Sequence, residues 1–252
     1  MLFGTNAKAE SSGWFVGGGI GVGGFERYGT SNIYNKTTDV NYSDSGKGRN
    51  GANIAAFATS VLGGYKHFFT DKLGIRGYGS IDYFYIPNYS LEENRIGLVS
   101  GAASKVKYGI GADFLYTFLQ KPKFDLGAFA GLWLGGESIF GKAFDSYNEC
   151  SKDAACLIGA ESEQIAVLAR QNMQVEHNST STIFQAALNL GMRSNILANH
   201  GIEAVISIPF VRHNTWHNIS QQYSNGVETN LQNSKQYVNN TWNLMFRYLY
   251  NF

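Results

Sequence analysis

The residues that first invite a chemical reading are Gly19-Ile20-Gly21-Val22-Gly23-Gly24, which match G-x-G-x-x-G, the turn that cradles a dinucleotide pyrophosphate. That chemistry needs a helix directly after the glycines and an acidic residue roughly twenty positions on. The next residues, after Phe25 and Glu26, are Arg27-Tyr28-Gly29-Thr30-Ser31-Asn32, with no helical period. Read at period two, Gly17, Gly19, Gly21 and Gly23 share one face, and Trp14, Val16, Ile20 and Val22 share the other. The stretch therefore reads as a strand whose glycines leave room for bulky neighbours. His213 and His217 have the i, i+4 spacing that binds a metal on a helix, but they fall where a strand runs into a loop, so no metal site is expected. His67, His177 and His200 are too scattered to complete a triad, and G-x-S-x-G, His-Glu-x-x-His and Walker A motifs are missing. Neither an enzyme nor a cofactor is expected. Cys150 and Cys156 have no ligand partners at metal spacing; a local disulfide fits them best, and two free thiols would require a reducing compartment.

Composition narrows the class. The 252 residues include 30 Gly, 17 Phe and 15 Tyr but only 3 Pro, with 15% charged and 14% aromatic residues. A net charge of +1 gives no basic excess for nucleic acid. No apolar run is long enough for a spanning helix, a test that leaves spanning strands open. The first residues end in Ala7-Lys8-Ala9, a small-x-small pattern like a signal-peptidase site. Residues 1–9 read as the stub of an export signal, or else as a disordered terminus with chance alanines, and 10–252 as one domain.

The rest of the chain contains eight stretches of alternating character: Gly13–Glu26, Ile54–Phe69, Leu73–Ile86, Lys105–Leu119, Phe124–Glu137, Thr180–Ser194, Gly201–His213 and Thr241–Phe252. Each is long enough to cross a bilayer as a tilted strand. The connections alternate strictly: tight turns at Thr70–Lys72, Gln120–Lys123 and Asn195–His200, long segments at Arg27–Asn53, Pro87–Ser104, Ser138–Ser179 and Asn214–Asn240. This pattern predicts an all-β, antiparallel, up-and-down transmembrane barrel of eight strands, with short periplasmic turns and long extracellular loops. In the last strand Trp242, Leu244, Phe246, Tyr248, Tyr250 and Phe252 share one parity, and in the fourth Val106 to Phe118 oppose Lys107, Gly109, Gly111 and Asp113. A soluble barrel would turn the apolar parity inward. Strand length, aromatic residues near strand ends and loop asymmetry favour the inverse, with lipid outside and a polar lumen holding Arg76, Asp82, Lys107, Asp113, Asp125, Arg193, Glu203 and Arg247. Pro209 predicts a bulge near the outer rim. Ile165, Val167 and Leu168 predict a helical turn or two within 161–172, which with the cysteines would form a small ordered cap; the alternative is a mobile loop with one staple. The Asn-x-Ser/Thr triplets, at Asn35 and Asn218 among others, read as chance in Asn-rich loops.

The ending NLMFRYLYNF places aromatics at alternate positions and closes on phenylalanine. It resembles the terminal strand by which Gram-negative barrels are recognised for assembly, with Phe246, Tyr248, Tyr250 and Phe252 as the signal. The segments AKAESSGWFVG, NSTSTIFQAALNLGMRSN, GIEAVISIPF and RYLYNF resemble the Helicobacter outer membrane protein family, the Hop and Hor group. The resemblance implies the outer membrane as location, with its lipid, lipopolysaccharide and assembly machinery as partners. That family includes adhesins, porin-like members and members of unassigned role, and its host-binding members carry large extracellular domains. With eight strands the lumen is just filled by side chains. The reading is a structural or surface-interaction protein with outward loops. The alternatives are a narrow channel lined by Arg76, Arg193, Arg247, Asp82, Asp113 and Glu203, and an adhesin binding a host surface ligand through Ser138–Ser179.

Overall fold

In the computed structural model, the residues described are 12–47, 54–91, 99–121, 123–157, 160, 162–196, 199–212 and 215–252. Residues 1–9, Pro122, Glu161 and His213 lie outside them. The strands are β1 (Gly13–Asn35), β2 (Val40–Lys47), β3 (Ile54–Phe68), β4 (Leu73–Leu91), β5 (Val99–Lys121), β6 (Phe124–Phe140), β7 (Met173–Ser179), β8 (Thr182–Ile196), β9 (His200–Pro209), β10 (Trp216–Ser224) and β11 (Val227–Asn251). Three helices lie between β6 and β7: α1 (Lys142–Lys152), α2 (Ala154–Leu157) and α3 (Glu163–Asn172).

Eight of the strands, in the order β1-β3-β4-β5-β6-β8-β9-β11, form an antiparallel barrel that closes where β11 returns to β1. Alternation decides the faces. Trp14, Ile20, Val61, Ile81, Ile110, Phe114, Phe184, Ile202 and Phe246 are exposed around the outside, where lipid would cover them. The opposite parity is buried even where it is charged. Leaving hydrocarbon on the outside and charge on the inside is the arrangement a bilayer imposes on a closed sheet, whose ladders satisfy every backbone group except at the rims.

The segments expected as long loops differ from expectation. β1 and β11 run on well past the barrel and stay paired, from Arg27↔Val238 to Asn35↔Asn230. β2 adds to one side of this extension and β10, then β7, to the other. The result is a five-stranded sheet, β2-β1-β11-β10-β7, standing outside the barrel. The tip of β10–β11 turns at Asn225 and Gly226, with φ of 51° and 76°, the positive values that a tight primed hairpin requires.

Pro209 also differs. It sits in no bulge; β9 ends there. The nearby irregularity lies in β11 instead, where the register with β1 shifts between Gly24 and Phe25 and Thr241 is the extra residue. A strand that stops before losing a ladder bond tolerates proline as well as a bulge does.

Candidate functional site

The lumen and its outer cap hold the buried polar chemistry. Alternation on β4, β5 and β9 sends Arg76, Asp113 and Glu203 to one point: Arg76 Nε donates to Asp113 Oδ2 at 2.8 Å and Nη1 donates to Glu203. The guanidinium also lies over the Phe129 ring, 4.4 Å from its centroid. Such a triad replaces lost hydration by three partners, because a lone buried charge would cost several kcal/mol. Arg247 is paired in register with Glu203 on the neighbouring strand.

The other polar residues singled out from sequence lie in the same interior but in separate contacts. Asp82 accepts from Ser60. Lys107 reaches Ser207 at 3.5 Å and sits 4.1 Å from the Trp133 ring centroid, a cation–π contact. Asp125, nearest the short turns, accepts from the Asn195 backbone and side-chain N–H at 3.0 Å each. Arg193 donates to Thr117 Oγ1 at 2.7 Å and faces Phe68.

Further residues share the lumen, of which Asn189 and Ser80 fall on the polar parity read from sequence. Lys105 pairs with Glu137, and Lys66 is buried low in β3. Asn189 donates to Tyr78 Oη at 2.8 Å and Trp133 Nε1 to Ser80 at 3.0 Å. Phe15, Leu62, Tyr78, Trp133, Ala187 and Leu249 pack as one cluster across the middle of the lumen. All of them obey the period-two rule on the inward parity; scanning that parity for large aromatics as well as charges would have found Phe15, Tyr78, Trp133, Lys66, Lys105 and Glu137.

The glycines of β1 face this interior. Gly17, Gly19, Gly21 and Gly23 are paired with Leu249, Arg247, Met245 and Asn243 of β11. A Cβ on Gly19 would stand 2.6 Å from the Phe246 carbonyl oxygen and 2.8 Å from Arg247 Cγ. The G-x-G-x-x-G stretch is thus the close-approach side of the barrel seam.

A second cluster closes the outer mouth. Phe25, Phe84, Ile86, Ala103, Ile139 and Met245 line the rim from within, and Ala143, Phe144 and Tyr147 of α1 pack onto them together with Trp216. Tyr147 and Trp216 rings are 4.6 Å apart, and Trp216 Nε1 donates to Asn148 Oδ1 at 2.8 Å. Cys150 and Cys156 are joined in a disulfide between α1 and α2. Arg170 of α3 clamps Asp153 through two bonds of 3.0 and 2.8 Å. Those donors, with the Ala155 N–H, hold the Asp153 carboxyl below its usual range. Ser162 caps α3 by accepting from Ile165 N. Among the described residues no group of His, Cys, Asp and Glu could hold a metal, and His217 contacts Asn233 instead.

Residues 60–252, well over half of the chain, match the Helicobacter outer membrane protein family. The chain belongs to that family. Its barrel is an integral protein of the bacterial outer membrane. No curated protein matches the sequence. Among solved structures, the chain is similar to the outer membrane protein OprG from Pseudomonas aeruginosa (13% identity over 96% of this chain and 97% of that one, TM-score 0.39). It is also similar to Neisserial surface protein A (13% identity, 95% and 97%, TM-score 0.33). The outer membrane protease OmpT from Escherichia coli matches at 10% identity over 94% and 97%, with a TM-score of 0.32.

Proposed function

We propose that this family member is a non-enzymatic surface-interaction protein, in which the barrel is a sealed anchor and the outer sheet with its helical cap presents the binding surface. The observation that carries this reading is the docking of α1 in the mouth, where Phe144 and Tyr147 meet Trp216 above a lumen already crossed by Phe15, Tyr78 and Trp133. Burying each large aromatic side chain contributes roughly 1.5–3 kcal/mol, so a plug built from several of them stays shut without a ligand. The lumen charges serve as an internal scaffold, the Arg76 triad tying β4, β5 and β9 together. Phe246, Tyr248 and Tyr250, exposed on the lipid face of β11, and Phe252 just after it act as the recognition segment for outer-membrane assembly, and lipopolysaccharide surrounds the outer rim. A host surface ligand is the partner for the 138–179 segment, whose helix α3 exposes Ile165 and Leu168 one turn apart.

Two measurements test this. Purified protein in a planar bilayer is expected to show no stable unitary conductance; steady single-channel steps would replace the anchor reading with a narrow channel. Removing 138–179 is expected to abolish binding of bacteria to host cells while the barrel still folds; unchanged binding removes the cap as the recognition element.

A further inference from the structure

The lipid face of the barrel is not evenly built. Most of its outward positions hold large side chains, but on β6 two successive ones are Ala128 and Ala130. Strand pairing sets each alanine between large neighbours: Ala128 between Tyr116 of β5 and Met192 of β8, and Ala130 between Phe114 and Leu190. Those four side chains are exposed, whereas an alanine ends at Cβ, so β6 forms the floor of a groove whose walls are β5 and β8. The depression measures about 600 Å³ and extends to Ala204 and Ile206 of β9. The side-chain heteroatoms in its lining are the Tyr116 hydroxyl and the Met192 sulfur alone. Leu132, the next outward residue of β6 and 53% exposed, stands at its upper end.

Downward the groove leads to charge. Leu126 and Phe124 carry the outward track of β6 to the turn after β5, where Lys121, paired with Phe124, and Lys123 are both exposed. Of the three short turns, this one carries the net positive charge: Thr70–Lys72 sets Asp71 beside Lys72, and 197–199 has no charged residue. From Ala130 to Phe124 the strand covers roughly 20 Å, at about 3.3 Å per residue. A tilt of about 40° turns that into roughly 15 Å of depth, one leaflet of a hydrocarbon core about 30 Å thick. The two lysines therefore stand at the periplasmic headgroups when the alanines stand near the midplane. A groove one strand wide falls far short of the roughly 800 Å² per partner of a stable protein interface, which favours a single chain-like occupant.

We infer that this groove binds one anionic phospholipid of the periplasmic leaflet. Its phosphate lies against Lys121 and Lys123, and one acyl chain runs up β6 to end over Ala128 and Ala130. Lipid tails are as apolar as the groove, so the chain gains close contact with the walls, and selection among lipids falls to the headgroup. The site is reached from the membrane and does not depend on the cap or on whether the lumen conducts.

The test uses the full chain in a non-ionic detergent, with bound lipid counted by native mass spectrometry as lipid is titrated. Dioleoyl phosphatidylglycerol is expected to bind as one saturable equivalent, at least tenfold more tightly than dioleoyl phosphatidylcholine. Lys121→Gln combined with Lys123→Gln should weaken it tenfold or more, whereas Lys72→Gln, at another turn, leaves it unchanged. Ala130→Leu, which fills the floor, should weaken it about tenfold with both lysines in place. Each variant is checked for folding by its shifted mobility before heating on a denaturing gel. If Ala130→Leu misfolds, dihexanoyl phosphatidylglycerol, whose chains stop short of the alanines, makes the same comparison and should bind about tenfold more weakly. Equal binding of phosphatidylcholine, full binding in the lysine double variant, or full binding both in Ala130→Leu and by the short-chain lipid would overturn the proposal. A dimer lost in Ala130→Leu would overturn the lipid as occupant in favour of a second copy of the chain.

Discussion

Replacing Gly19 by leucine tests the seam of the barrel directly. The first added atom already meets the Phe246 carbonyl at 2.6 Å and Arg247 Cγ at 2.8 Å. The carbonyl belongs to the strand paired with β1, so relief requires β11 to move, and Arg247, only 6% exposed, has little room to give. Overpacking of this kind costs about 1–3 kcal/mol, and leucine adds further atoms in the same direction. Gly77 is the control, since a Cβ there has nothing within 4 Å, and alanine in a strand is about 0.5–1 kcal/mol better than glycine. With a urea slope of about 2–3 kcal/mol/M, Gly19→Leu should lower the midpoint of refolding into lipid vesicles by roughly 0.5–1 M or more, while Gly77→Ala leaves it level or raises it. Nucleotide titrations of the parent should show no binding. A Gly19→Leu midpoint equal to the parent's, or tight binding of a dinucleotide lost in the variant, would refute the close-approach account.

The cap and the triad carry three further expected outcomes. Reducing Cys150–Cys156 opens a loop whose closure contributes about 2 kcal/mol by the chain-entropy model; tryptic cleavage at Lys152 and Arg170 should accelerate while the barrel melts unchanged. The Asp153 carboxyl is held low chiefly by the Arg170 hydrogen bond, so the clamp contributes fully above the unfolded value of about 3.9 and is lost as pH falls through the lower folded value. Cap protection should therefore fade below about pH 4, and Arg170→Gln should move that loss to higher pH, as read by proteolysis with an acid-active protease. Arg76→Met strands two buried carboxylates and should cost about 3–5 kcal/mol in urea refolding, whereas Arg76→Met combined with Asp113→Asn and Glu203→Gln should recover much of it.

How legible each strand is in the sequence depends on the solvent its faces meet. Barrel strands separate lipid from lumen, so Val106 to Phe118 against Lys107 and Asp113 reads plainly at period two. Strands β2 and β10 carry no such contrast, and β7 shows it only over Met173 and Val175 against Gln174 and Glu176. VNYSDSGK and WHNISQQYS are polar on both sides, and alternation vanishes when neither face sits in lipid. Their one legible mark was Asn225-Gly226, a hairpin signal between two runs that looked like loop. Parity also tells which residues are inside without telling which meet. Arg76 finds Glu203, 127 residues away, through barrel closure, a property of the whole ring.

The same closure explains why the cap lies where it does. β1 and β11 are adjacent in the ring, so their shared outward extension rises from one side of the mouth only. The connection after β6 begins across the ring and must end at β7, the far edge of that outer sheet. A chain with those end points has to cross the opening, and α1 does so with Phe144 and Tyr147 turned onto the rim and Trp216. The position of α1 over the mouth is therefore a consequence of pairing order. Any movement of α1 out of the mouth must also pull it from Trp216 and break the bond that Trp216 donates to Asn148, which ties α1 to β10 of the outer sheet.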